Sequence, residues 1–305
     1  MIPPTLSALL LGVLLAGCAT EPQSCRVATV ADLPLLPNAN ITAVEATVQG
    51  QKIALLVDTG AAISVVTRNA AQRFNFRPGP DARFTNLVGI GGVTFAPIVT
   101  VHGLGLGHNL IHSLDLPVAA EFTQPVDGLP VFGLFGADFL SNYDVDLDIP
   151  QQRFALYKAT GCDIDMRPFD PPYFQVPFRD EDGHIVINIK LNGRPITALF
   201  DTGASSTVIN RNDALAAGVT PDLLAADHGQ DMAGTDSRLV EARRHQFGSL
   251  EVGDEQMNNF RFGVADLESG TTLLGRDFLR FNRVLISYRR RMLFIKPIVR
   301  GTQPQ

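Results

Sequence analysis

The sequence predicts an all-β protein made of two copies of one unit, each carrying a short helix. Three observations lead there. First, β-branched and apolar runs broken by Gly, Pro, Asn and Asp dominate, while helix-period stripes are scarce. Second, the chain has 305 residues, 45% of them hydrophobic, enough for two cores of ordinary size. Third, the sequence matches itself. At an offset of 143 residues Pro34 pairs with Pro177, Gly50 with Gly193, Asp58 with Asp201, Val65 with Val208, Arg68 with Arg211 and Gly91 with Gly234. Later the offset becomes 139, pairing Gly136 with Gly275, Asp138 with Asp277, Phe139 with Phe278 and Leu140 with Leu279. Offsets sustained over such lengths mark a duplication. They place unit 1 at residues 27–158, a linker at 159–171, unit 2 at 172–299 and a short tail at 300–305.

Each unit opens with a strand pair: Ile41 to Val48 with Lys52 to Val57, and Ile185 to Leu191 with Pro195 to Phe200. Gln49-Gly50-Gln51 and Asn192-Gly193-Arg194 are compact hairpin signals between them. A short apolar strand follows, Ile63 to Val66 and Thr207 to Ile209, then a helical turn over Arg68 to Phe74 and Asn212 to Ala217. Two further strands meet at Gly107-His108-Asn109 and at Gly253-Asp254-Glu255. Each unit closes with an apolar pair, a glycine and a helical turn, Leu134 to Leu140 and Leu273 to Leu279. The last strand pairs are Tyr143 to Ile149 with Arg153 to Tyr157, and Arg283 to Tyr288 with Met292 to Lys296. Asp144, Asp146 and Asp148 alternate along the first of these and are expected on one solvated face. Prolines 168, 171 and 172 interrupt regular pairing in the linker.

Charge narrows the partners. A net charge of -6 without a basic block argues against nucleic acid. Leu6 to Ala16 is apolar but short for a bilayer span, as in a signal peptide over residues 1–17. It ends in Leu14-Leu15-Ala16-Gly17-Cys18, which resembles the bacterial lipobox. That resemblance implies lipidation of Cys18, a tether over 18–26 and a lipid-anchored protein of the cell envelope. Ala19 after the cysteine favours the outer membrane, facing the periplasm. The alternative is an ordinary signal peptide with an incidental cysteine. Cys25 and Cys162 both fall outside the expected sheets; they either pair as a disulfide or stay free thiols. No Cys/His spacing suggests a metal site, and no cofactor is expected. His108 and His112 are four apart, but the repeat puts His108 in a hairpin turn opposite Asp254.

The chemistry concentrates in a tetrapeptide present twice. Asp58-Thr59-Gly60-Ala61 ends the run Ile53 to Val57, and Asp201-Thr202-Gly203-Ala204 ends Ile196 to Phe200. Each places an acid at the tip of a buried strand. Two carboxylates brought close cannot both ionise easily, so one keeps a proton near neutral pH. The ionised member can act as general base on a water while the protonated one donates to a carbonyl oxygen. The repeat makes two unrelated structural turns a poor account of the pair. Asp138 and Asp277 also match, but in the closing helical turn, where local capping is the simpler role.

Asp-Thr-Gly-Ala, then the glycine-rich Val88 to Val93, then apolar-apolar-Gly before a short helix, in duplicate, resembles the retropepsin-like aspartic peptidases. The resemblance covers nearly the whole chain after the signal segment. It implies two retropepsin-like, pepsin-like β-barrel units related by a pseudo-twofold axis, paired within one monomeric chain. By position it implies a catalytic dyad of Asp58 and Asp201, supported by Thr59, Gly60, Thr202 and Gly203. Gly89, Ile90, Gly91 and Gly92 would form one flap over a peptide or protein substrate, and Ala233, Gly234 and Thr235 a second. Pepsins usually carry Ser or Thr where Ala61 and Ala204 stand. Loss of that donor implies a less acidic optimum, roughly pH 5–6.5. The implied activity is aspartic endopeptidase; a non-catalytic peptide- or envelope-binding module on the same cleft is the alternative.

Overall fold

The computed structural model describes residues 26–37, 40–89, 92–119, 122, 124–161, 169–233, 239–267 and 270–298. The signal segment, Cys18, Cys25, Cys162, Ile90, Gly91, Gly234, Thr235 and the tail lie outside them.

The fold is all-β with short helices, and the two units repeat it except that unit 2 carries one more helix, over Pro221–Ala226, among the described residues. Unit 1 comprises β1 (Arg26–Pro34), β2 (Ala43–Val48), β3 (Gln51–Val57), β4 (Val65–Val66), α1 (Arg68–Arg73), β5 (Phe84–Gly89), β6 (Gly92–Leu106), β7 (Asn109–Pro117), β8 (Val131–Phe135), α2 (Ala137–Leu140), β9 (Asp144–Asp148) and β10 (Arg153–Thr160). Unit 2 comprises β11 (Phe174–Glu181), β12 (His184–Leu191), β13 (Arg194–Phe200), β14 (Val208–Asn210), α3 (Arg211–Ala216), α4 (Pro221–Ala226), β15 (Gly229–Ala233), β16 (Leu239–Val252), β17 (Glu255–Ala265), β18 (Thr272–Leu274), α5 (Arg276–Leu279), β19 (Asn282–Ser287) and β20 (Met292–Pro297). The opening hairpins turn through Gln49 and Gly50 at φ 51 and 76°, and through Asn192 and Gly193 at φ 49 and 74°. Two successive positive φ values match the twist of the flanking strands, which is why Gly sits second in both turns. β10 runs to Thr160, into the stretch assigned to the linker from sequence.

The strand that ends in each acid is fixed on both sides. β3 pairs antiparallel with β2 and parallel with β8; β13 pairs antiparallel with β12 and parallel with β18. β3 is covered on both faces, which accounts for the unbroken apolar run Ile53 to Val57, whereas β13 alternates, with Thr197 exposed between buried Ile196 and Ala198. One core of buried residues extends through both units and includes Phe135 and Phe154 of the first and Phe200 and Phe278 of the second.

A sheet of strands β1-β10-β9-β19-β20-β11 joins the units. At its centre β9 of unit 1 pairs antiparallel with β19 of unit 2. Val145 faces Ile286, Leu147 faces Val284, and Asp146 faces Leu285. Since Val145 and Val284 are equivalent, these pairs exchange under a twofold that passes through Asp146 and Leu285. This corrects the expected solvated face of β9. Asp146 is 1% exposed and Asp148 5%. The carboxylate of Asp146 accepts from Arg153 Nη1 at 2.9 Å in unit 1 and from Arg283 Nε at 2.9 Å in unit 2. Asp144 accepts from the Ser287 hydroxyl at 2.6 Å across the same seam. Alternation along one strand cannot reveal that a second unit covers it.

Candidate active site

Asp58 and Asp201 leave β3 and β13 in the same way. The Asp58 N–H donates to Phe135 O and the Asp201 N–H to Leu274 O, each at 3.0 Å. The following loops press against the closing glycines. A Cβ on Gly136 would lie 2.7 Å from Ala61 O, and one on Gly275 2.5 Å from Ser206 O. No side chain fits there, which explains the apolar-apolar-Gly pattern. Ser64 Oγ donates to Asp138 Oδ1 at 2.5 Å and accepts from Gly136 N at 2.9 Å. Thr207 Oγ1 donates to Asp277 Oδ1 at 2.5 Å and accepts from Gly275 N at 3.1 Å. Asp138 and Asp277 are thus engaged in holding the loops.

The two loops then interlock. Thr59 Oγ1 donates to Phe200 O at 2.6 Å and accepts from Thr202 N at 3.1 Å. Thr202 Oγ1 donates to Val57 O at 2.7 Å and accepts from Thr59 N at 3.0 Å. Both threonines are fully buried, so these bonds act in a dry seam between the units. A Cβ on Gly60 would overlap the Asp201 carboxyl, and one on Gly203 the Asp58 carboxyl. Glycine here lets each acid lie against the other unit's loop.

The sequence-predicted acids therefore meet. Asp58 and Asp201 are 6% and 8% exposed, each carboxyl lies against the other unit's glycine, and the two are close enough to shift each other's titration. Burial, then the charge of Asp201, pushes the Asp58 pKa well up. Burial also raises Asp201, but N–H bonds from Ala204 at 3.0 Å and Gly203 at 2.8 Å oppose the rise. On Asp58 the same opposition comes from the Gly60 N–H at 2.9 Å and, more weakly, from Ala61. Burial raises both acids, so the pair retains a shared proton above the ordinary carboxylate range and titrates as one unit.

Hairpins lie where flaps were expected. β5 and β6 close at the Gly89–Gly92 pair, and β15 and β16 at the Ala233–Leu239 pair. Phe84 and Phe95 stack at 4.8 Å on the first hairpin and stay largely exposed. His102 and His112 sit on β6 and β7 around the His108 turn. Among the described residues no group of three His, Cys, Asp or Glu side chains is placed to hold a metal ion, and no helix is long and apolar enough to cross a membrane.

Two nearby residues escaped the sequence reading. His184, at the start of β12, is near enough to Asp201 to influence its titration, after burial and the two N–H bonds. Tyr288, buried against the edge of Phe178, has a hydroxyl with no hydrogen-bond partner among the described residues. Burial and the charges of Asp180 and Asp58 push its pKa up. Both stand where the repeat breaks: unit 1 has Ile41 and Ile149 at the equivalent positions. A polar residue in one copy opposite an apolar one in the other was the signal available.

Two duplicated β units, joined by a shared sheet and meeting at paired Asp-Thr-Gly loops, define the two-unit aspartyl-protease class. The family model described as gag-polyprotein putative aspartyl protease matches residues 44–142 and again 187–281. These matches cover well over half of the chain, which belongs to this retropepsin-like family in a tandem form. No curated protein matches the chain.

Proposed function

We propose that the chain is an aspartic endopeptidase in which Asp58 and Asp201, one from each unit, activate a water against a peptide bond. The observation that carries this reading is two buried carboxyls, each seated against the other unit's glycine, on loops fixed by reciprocal threonine bonds. Asp201 takes a proton from the water as its oxygen adds to the scissile carbonyl carbon, and Asp58 gives its proton to the carbonyl oxygen. Collapse returns a proton to Asp58, passes the one on Asp201 to the amide nitrogen and breaks the C–N bond. Thr59, Gly60, Thr202 and Gly203 keep the acids in register, while residues 89–92 and 233–235 cover the substrate. Pairing of the two units within one chain supports a monomer as the active species. The N-terminal segment supports anchoring by lipid at Cys18, on the periplasmic side of the outer membrane.

A soluble form lacking residues 1–18, incubated with a diverse peptide pool at several pH values, tests the reading. Cleavage is expected, suppressed by a pepstatin-type transition-state mimic. Asp58→Asn and Asp201→Asn should each lower kcat/KM by roughly 10²–10⁴-fold with the fold intact by circular dichroism. Full activity in Asp58→Asn overturns the shared mechanism. Peptide binding by the wild type without cleavage would leave the non-catalytic module.

A further inference from the structure

The repeat is an internal control for what the fold requires. Aligning Gly107 with Gly253 sets the offset in the long hairpins. The parallel pairs Val66–Val118 and Ile209–Val264 agree with it. On this alignment Arg244 and Arg261 stand where unit 1 has Ile98 and Asp115, and Arg280 stands where it has Ser141. In unit 1, Asp115 is bound by Arg83 and Thr100. The arginines of unit 2 are therefore not demanded by the architecture.

Arg244, Arg261 and Arg280 line a hollow of about 630 Å³ together with Ser206, Gln230 and Asp277. Ser206 belongs to the loop that begins at Asp201, and Gln230 to β15, the first strand of the second hairpin. The hollow thus lies at the corner of the acid loop, that hairpin and α5. Its one carboxylate is occupied: Asp277 accepts from Thr207 N, Thr207 Oγ1 and Phe278 N. Arg261 Nε donates to Gln246 Oε1 at 3.3 Å, and Arg280 lies over the Phe281 ring at 5.8 Å. Among the described residues none of the three arginines has a carboxylate within ion-pair distance. One helical turn before Arg280, the half-buried Arg276 has an Nε without a partner among them, and burial with the Arg280 charge pushes its pKa down. Positive charge is in excess around an open polar hollow.

We infer that this hollow is a subsite for an acidic side chain of the polypeptide substrate, held by Arg244, Arg261 and Arg280 away from the scissile bond. The identity of the ligand as a substrate rests on the endopeptidase reading; the anion preference does not. Fluorescein-labelled random octapeptide pools with one fixed Glu, and twins with Gln there, are titrated by anisotropy against Asp58→Asn, which removes cleavage from the measurement. The Glu pool should bind roughly tenfold tighter, and about 0.5 M salt should erase the difference. Adding Arg244→Gln, Arg261→Gln and Arg280→Gln should abolish the preference while Gln-pool binding stays unchanged, which also reports an intact cleft. Equal binding of the two pools to Asp58→Asn, or a preference that survives the arginine changes, overturns the inference. The same pools given to the wild type separate the two readings. Cleavage without a Glu preference sinks the subsite alone. Arginine-dependent Glu binding without cleavage sinks the endopeptidase alone.

Discussion

Asp58 and Asp201 are the same residue in matched sequence settings, and the structure still makes them unequal. Asp58 is raised by burial and by the charge beside it, so it keeps its proton above the ordinary carboxylate range. Asp201 is raised by burial but held back by Gly203 and Ala204 N–H groups. The sign of each effect follows. Activity should fail on the acid side as Asp201 gains a proton, and on the alkaline side as Asp58 loses one. The optimum is expected at roughly pH 5–6.5, and activity confined below about pH 3.5 would contradict it. Ala204→Ser adds a hydroxyl donor next to the ionised acid, which favours its charged form. The acid limb of the kcat/KM profile should move down by about one unit; an unmoved limb would exclude this tuning role. The Asp-Thr-Gly-Ala motif and its offset made both acids readable from sequence. Their inequality was not readable, because it arises from burial and from the strength of N–H bonds that similar tetrapeptides form differently, with His184 a smaller influence on Asp201.

At the level of elements, the closing glycine turns carry as much of the site as the acid loops. Gly275→Ala would drive a methyl group into the Ser206 backbone, at 2.5 Å from its oxygen. Backbone cannot yield as a side chain does, so we expect a loss of about 1–3 kcal/mol in urea unfolding and a larger fractional loss of cleavage. A neutral outcome in both assays would show that the loop is not seated as described. Most strands, both opening hairpins and both short helices after the acid loops were legible, since periodicity and turn chemistry repeat in the two copies. α4 was not. It rests on a Thr220 cap that accepts from Leu223 N at 3.3 Å, followed by Pro221. Unit 1 has no counterpart, so comparison of the copies concealed it, and Thr-Pro-Asp reads equally well as a turn.

At the scale of the whole molecule, the two units share a sheet centred on the Asp146–Leu285 pair. Asp146 draws on Arg153 from one unit and Arg283 from the other, with only 2% of its side chain exposed. Asp146→Ala leaves both guanidiniums without it. Arg153 keeps Asp32 and Arg283 keeps Asp148, so the expected cost is about 2 kcal/mol, less than for a fully orphaned buried charge. Arg283→Met in that background should recover part of it, as a double-mutant cycle in urea would measure. Strict additivity of the two changes would argue against a bridge across the seam. The repeat foretold a twofold, but the residue on its axis could be recognised only once the strands were paired.

That axial position also decides which of the two units could pair with a copy of itself. A homodimer of the first unit would set two Asp146 carboxylates against each other at the heart of its sheet. Each would keep its own Arg153 but lose Arg283, which belongs to the other half. A single chain escapes this, because its two copies can differ where the axis passes. Two copies of unit 2 would instead bring Leu285 against Leu285, with no charge to satisfy. Asp146 therefore bars one of the two possible symmetric pairings and leaves the other open.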